Sequence, residues 1–234
     1  MASKTSLTDK IKRLDVDGVA NDLTESPDLI THRDPQGRNW LHLTCSVDIH
    51  KRRIDPALSI SMANLLLERG LSIDEPAFME GSWEATPLWY TISRGRNLAL
   101  ARHLLSLGCS PEHCLWAALW WDETDTITLL LDYGASLEAV AENETPLLGA
   151  IKVSRLKSAQ ALVEAGADPD YVDHKGYTAL HYLLKKNADI AFFELMAEAG
   201  ARGGIPGPDG RTAIDILKRK RDAAFHDIAD RLRH

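Results

Sequence analysis

Four side chains in a short span could do chemistry. Cys109, His113 and Cys114 form a C-x-x-x-H-C cluster, and His103 lies one predicted helix earlier. Thiolate and imidazole are the soft ligands zinc prefers, and a tetrahedral site takes about four of them. A trio on a short link plus one histidine could supply such a set, which would make the chain a small metal-dependent or enzymatic module. The spacing argues otherwise, because the paired C-x-x-C of structural zinc sites is absent. Buried thiols and a helix-capping imidazole are the preferred reading, and no metal or cofactor is expected. The other recurrent chemistries also lack their residues. There is no phosphate loop, no G-x-S-x-G and no H-E-x-x-H. The glycine-rich GGIPGPDG at 203–210 lacks the Lys and Ser/Thr of a nucleotide loop and reads as a linker hairpin.

A second group of residues suits binding rather than catalysis. Trp120 and Trp121 are adjacent in LWAALWW, and neighbours on a helix point about 100° apart, so both cannot enter one core. At least one is expected to face solvent. Two readings stay open: the rings fill space left by a missing turn, or they are an aromatic anchor of the kind that dominates interfaces. The second is preferred.

Bulk properties exclude several classes. The 234 residues are 44% hydrophobic, 26% charged and 6% aromatic, a soluble globular profile. No apolar run approaches the ~20 residues of a membrane span, and the first residues, MASKTSLTDKIKRLD, lack the apolar core of a signal peptide. Three cysteines are too few for a disulfide framework. A cytoplasmic monomer is the expectation. The net charge of −7 is unevenly spread: residues 112–150 hold eight acids and no Lys or Arg, whereas 151–234 carry 14 Lys/Arg against 12 Asp/Glu. An acidic middle argues against nucleic acid or an anionic membrane as partner.

The elements that must position these groups repeat. Residues 144–201 contain one pattern twice: Thr, a Leu two residues on (Thr145/Leu147, Thr178/Leu180), a short Ala/Leu run, a polar break, a second apolar run and Gly-Ala. Thr-Pro is a helix opening and glycine a left-handed helix stop. Each unit therefore reads as two helices and a stop, too short to bury its own apolar face and obliged to stack on others. Stop glycines fall at 70, 108, 134, 166 and 200, and the openings Asn39, Thr86, His113, Thr145, Thr178 and Thr212 are 47, 27, 32, 33 and 34 apart. The segment VDIHKRRIDPAL is expected as a looped insert before a second helix at Met62–Leu71, and the turn before the fourth unit is missing or minimal.

Through these residues the chain resembles the ankyrin-repeat family, whose unit of about 33 residues carries T-P-L-H-x-A. The matches are NWLHLTC (39–45), TPLWYTI (86–92), TPLLGAI (145–151), TALHYLL (178–184) and TAIDIL (212–217). Trp89, Trp116 and Leu148 depart from it by replacing the histidine. The resemblance implies an all-α solenoid of stacked helix-turn-helix units with short β-turn fingers, in one domain over 1–234. Its parts would be an N-terminal cap at 6–33, internal repeats at 34–78, 79–111, 112–141, 142–173 and 174–206, and a C-terminal cap at 207–234. His42 and His181 would be the family's structural histidines. It also implies that partners bind a concave face made by the fingers and the ends of the first helices. On this chain that face would carry Trp83, Arg94, Trp120, Trp121, Lys152, Tyr177, Lys185 and Lys186, with Val47 and Val153 beside them. The expected function is non-catalytic protein-protein interaction, as scaffold, adaptor or inhibitor, with a protein or peptide that offers an apolar anchor and acidic residues.

Overall fold

The structure is a computed structural model that describes residues 2–77 and 83–233 together with the backbone of 79–80; of 83–84 likewise only the backbone is described. The chain divides into two compact units, Met1–Ala117 and Ala118–His234. Both are built from short helices whose starts and stops are local. Thr86, Asn97 and Thr145 each place a side-chain oxygen on the N–H of the third residue after them, at 3.3, 3.0 and 3.3 Å. That bond satisfies one of the orphan donors of a helix start. The five stop glycines all have φ between 73° and 95°, the left-handed region that costs a side chain energy.

In the first unit α1 (Lys4–Arg13) and α2 (Val16–Glu25) form the opening hairpin, followed by a 3-10 turn at Pro27–Thr31. Then come α3 (Trp40–Cys45), α4 (Ile49–Arg52), α5 (Pro56–Glu68), α6 (Pro87–Tyr90) and α7 (Leu98–Ser106). The expected insert is not a loop. Asp48 caps α4, and Asp55 with Pro56 behind it opens α5 six residues before Met62, so two cap signals inside VDIHKRRIDPAL make it largely helical. First helices pack on first helices (α1 on α3, α3 on α6) and second on second (α2 on α5, α5 on α7). The point of division lies within α8 (Cys114–Trp121). In the second unit α9 (Thr124–Asp132), α10 (Pro146–Lys152), α11 (Leu156–Glu164), α12 (Ala179–Lys186), α13 (Ile190–Glu198), α14 (Ala213–Leu217) and α15 (Ala223–Arg231) repeat the same two rows.

Fingers join most neighbours. The chain turns back on itself with Asp34 N–H to Arg38 O at 3.0 Å, Asp173 N–H to Tyr177 O at 3.0 Å and Gly207 N–H to Arg211 O at 2.9 Å. A longer hairpin pairs β1 (Met79–Glu80) antiparallel to β2 (Trp83–Glu84). Before α8 the chain runs directly from Gly108 into Cys114 through a Pro111 O to Cys114 N–H turn, so the missing finger is borne out. Acidic side chains also tie successive repeats: Asp74 accepts the Ser110 N–H, Glu138 the Asp168 N–H and Asp170 the Arg202 N–H, at 2.8–2.9 Å.

One repeat has an extra residue. The turn between paired helices closes over five residues in three repeats (Glu123 N–H to Ala118 O, Arg155 to Ala150, Ala188 to Leu183) but over six in the third, Asn97 N–H to Thr91 O. The added residue is absorbed as a π-helical turn at Thr91–Gly95, which moves the left-handed residue from the place of Asp122, Ser154 and Asn187 one step on, to Arg96. Gly95 must lack a side chain there, since a Cβ would stand 2.3 Å from the Cys45 carbonyl oxygen.

One histidine of the repeat motif, His42, does what the resemblance implies. His42 Nδ1 accepts the Asn39 N–H at 3.2 Å, which leaves its Nε2–H to donate to the Glu75 carbonyl at 2.7 Å and tie α3 to the next turn. Burial lowers its pKa to about 4, against a weaker upward pull from Glu75. Below pH 6.5 the unfolded chain takes up a proton that the fold refuses until about pH 4. Stability from this group is therefore intact at neutral pH and drains away between those values, by about 3 kcal/mol at most. Urea unfolding of H42Q should be flatter than wild type between pH 7 and 4.5; parallel curves would mean that His42 protonates inside the fold.

Candidate functional site

Within the second unit the ends of the first helices and one finger form a continuous set of positions. Counting from the opening residues His113, Thr145 and Thr178, the seventh position holds Trp120, Lys152 and Lys185, and the eighth holds Trp121, Val153 and Lys186. At the eighth position lysine is a strap to the repeat before it. The Lys186 ammonium donates to the Lys152 carbonyl at 2.5 Å and the Ser154 hydroxyl at 2.7 Å, and Lys220 donates to Asn187 Oδ1 at 2.9 Å. These contacts place cations at helix C-termini, where the backbone dipoles favour them. In the repeat that follows α8 the strap position is held by Val153.

Both tryptophans face solvent: Trp120 is 63% exposed and Trp121 41%, with Val153 at 42%. The reading that they fill the space of the missing finger is thereby set aside. α8 still buries Cys114, Leu115, Ala118 and Leu119, so its core face is complete without them. Its far end is held by Asp122, whose Oδ1 accepts the backbone N–H and the hydroxyl of Ser158 at 2.8 and 2.7 Å.

Beside them lies a cation-aromatic cluster. The Tyr177 and Tyr182 rings meet edge to face at 5.6 Å. Lys185 Nζ sits 4.2 Å from the Tyr177 centroid and Lys152 Nζ 4.8 Å from that of Tyr182. Lys152 also pairs with Glu144. The cluster is pinned by Asp173: its Oδ1 accepts the N–H groups of Lys175 and Tyr177, and its Oδ2 accepts the Tyr182 hydroxyl at 2.5 Å. Burial alone would raise the Asp173 carboxyl, but those donors outweigh it and hold it below the usual carboxylate range. Burial, with Asp173 adding to it, pushes Tyr182 up to about 12. Burial also lowers Lys152, opposed by Asp173. The tyrosine rings stack with the lysine ammoniums rather than with the core.

The expected site residues thus separate. Trp120, Trp121, Lys152, Tyr177, Lys185 and Lys186 share the second unit, and three of them, Lys152, Tyr177 and Lys185, meet through Tyr182 and Asp173, which sequence reasoning did not single out. The signal was present in the finger motif D-x-x-G, seen as Asp34–Gly37 and Asp173–Gly176, whose acid organises whatever follows. Arg94 is exposed in the first unit, within the π-turn. The side chain of Trp83 lies outside the described residues. Val47, expected on the binding face, is buried at 6% exposure because the chain turns inward toward α4.

The alternative cluster does not assemble. Among the described residues no three His, Cys, Asp or Glu side chains converge as a metal-ligand set. His103 Nε2 is engaged by Asn64 Oδ1 at 2.7 Å. Burial pushes Cys45 and Cys109 up to about 12 and raises Cys114 further, the opposite of an activated thiolate. No helix among the described residues is long and apolar enough to cross a membrane.

Comparison with known proteins agrees with this architecture. Residues 150–197 match the family model for ankyrin repeats (many copies). A putative palmitoyltransferase ZDHHC13 of Danio rerio is 32% identical over 108 residues, 45% of this chain; the match spans 16% of that relative's length. The crystal structure of the human ASB11 ankyrin repeat domain superposes with a TM-score of 0.74 at 17% identity, over 97% of both chains. That of the ankyrin repeat domain of Bcl-3, a member of the IkappaB protein family, gives 0.76 at 19% identity, over 98% of this chain and all of the other. With its capped helix pairs, glycine stops, fingers and inter-repeat histidine, the chain has the all-α fold of ankyrin-repeat domains, and its residues 150–197 match the ankyrin-repeat model.

Proposed function

We propose that the chain is a non-catalytic binding module that holds a protein or peptide on the fingers and first-helix ends of its second unit. The carrying observation is the pair of exposed tryptophans, Trp120 at a register position that is lysine in the next two repeats and Trp121 at one that is valine and then lysine. Solvated indoles cost free energy unless something covers them, and a monomer surface rarely keeps such apolar groups together without use. Trp120, Trp121 and Val153 would receive the partner's apolar anchor. Lys185, exposed and held over Tyr177, and Lys186 would receive its acidic residues. The family's usual role in protein-protein interaction supports the same reading.

A random peptide display selection on the purified chain tests it. The expected enrichment is one large apolar residue with Asp or Glu within a few positions, lost when the selection is repeated on the W120A/W121A variant. Equal enrichment on both proteins would refute the assignment of the anchor.

A further inference from the structure

The first unit contains a groove of its own, about 500 Å³, lined by Gln36 and Arg38 of a finger, Ser46 at the end of α3, and Trp89, Tyr90 and Arg94 of α6 and the π-turn. Its volume suits one or two side chains. We infer that this groove is a carboxylate-binding notch for a Glu or Asp side chain of a partner peptide.

The polar groups around it divide into those already used and those still available. Asp34, the acid closest by sequence, is spent: its Oδ1 accepts the N–H groups of Gln36 and Arg38, and its Oδ2 accepts the Arg38 guanidinium at 2.7 Å. That ion pair orients Arg38 without occupying all five of its donors. The Ser46 hydroxyl donates to the His42 carbonyl. Arg94 is exposed and has no ion pair among the described residues. The groove therefore offers two guanidiniums, one held rigid by Asp34 and one with no ion pair among the described residues.

The wall is preorganised. Trp89 and Tyr90 meet edge to face at 5.1 Å, and Tyr90 meets the His42 ring edge-on at 5.5 Å, so the apolar side is fixed by the same histidine that ties the repeats. A glutamate would lay its methylenes on the rings and its carboxylate between the guanidiniums, where planar forks match planar carboxylates. The π-turn is what this repeat has and the others lack: the added residue lies between Thr91 and Asn97, the segment that contains Arg94.

The notch goes beyond the tryptophan site and does not use its residues, so the two can fail separately. The test is an NMR titration of the full chain, observing arginine Nε–Hε resonances, with blocked heptapeptides SGLELGS, SGLQLGS and the phosphoserine form SGLpSLGS. The Glu peptide is expected to shift Arg38 and Arg94 saturably, about tenfold more tightly than the Gln peptide. R94Q should lose that preference while leaving the remaining spectrum in place, and W120A/W121A should keep it. Equal binding of Glu and Gln peptides, shifts that avoid both arginines, or binding of the phosphoserine peptide alone would each overturn the assignment.

Discussion

Replacing Trp120 and Trp121 together by alanine is expected to leave the melting temperature within a few degrees of wild type and to weaken a selected peptide at least 100-fold. The first half follows from exposure. An indole that is 63% solvated, on a helix whose buried face is Cys114, Leu115, Ala118 and Leu119, contributes little to the core it stands above. Its loss leaves no cavity, and surface substitutions of that kind stay near 0.5 kcal/mol. The second half follows from the opposite geometry in a complex, where a covered tryptophan typically costs 2 kcal/mol or more on truncation. Two such losses exceed the roughly 2.7 kcal/mol that a factor of 100 represents. Lys185→Ala should act more weakly and mainly through salt dependence, because that ammonium remains in contact with water. Circular dichroism melts beside calorimetric titration read both halves. A variant that melts far lower would return the indoles to the core, and one that binds unchanged would remove them from the interface.

Trp40→Ala is expected to do the reverse, costing about 3–5 kcal/mol of stability, enough to unfold a large share of molecules in a marginal domain. Trp40 is fully buried on α3, its Nε1–H donates to the Leu29 carbonyl at 2.7 Å, and its ring stacks at 4.9 Å on His32. Truncation leaves both a cavity and an unpaired carbonyl, and surrounding repeats cannot close over it without breaking the cap at Asn39. Trp40→Phe separates the two effects: it fills most of the volume and loses only the hydrogen bond, so a loss of about 1–2 kcal/mol is expected. Chemical denaturation of the two variants checks the ordering. Equal destabilisation would mean that volume contributes little at this site.

The contrast between these residues shows how much of the site was legible in the sequence. Both lie in apolar helical runs, NWLHL and AALWW, and neither run carries a clear periodicity. The adjacency of Trp120 and Trp121 was itself informative, because a helix cannot turn two consecutive side chains into one core. That the second one also faces outward depended on Leu119 and Ala118 filling the core and on the absence of a finger before α8. Lys152, Tyr177, Lys185 and Lys186 were visible as a basic-aromatic series, but Asp173 and Tyr182, which bring them into one cluster, lie nine residues apart on a finger and a helix. Their 2.5 Å contact is a product of how the finger folds onto α12.

What the sequence alone determined was the repeat. Caps at Thr86, Thr145 and Thr178 and stops at the five glycines act over three or four residues, within reach of the chain's own dihedral preferences, and their spacing near 33 required helix pairs to stack. The tertiary structure alone decided which side chains those stacks leave uncovered. It absorbed one surplus residue as the π-turn that contains Arg94, with Gly95 against the Cys45 carbonyl. It also left Val153 where a lysine would have strapped the tryptophan end of α8. These outcomes rest on contacts between residues some 30 or more positions apart, whose energies enter only once neighbouring repeats have closed on each other.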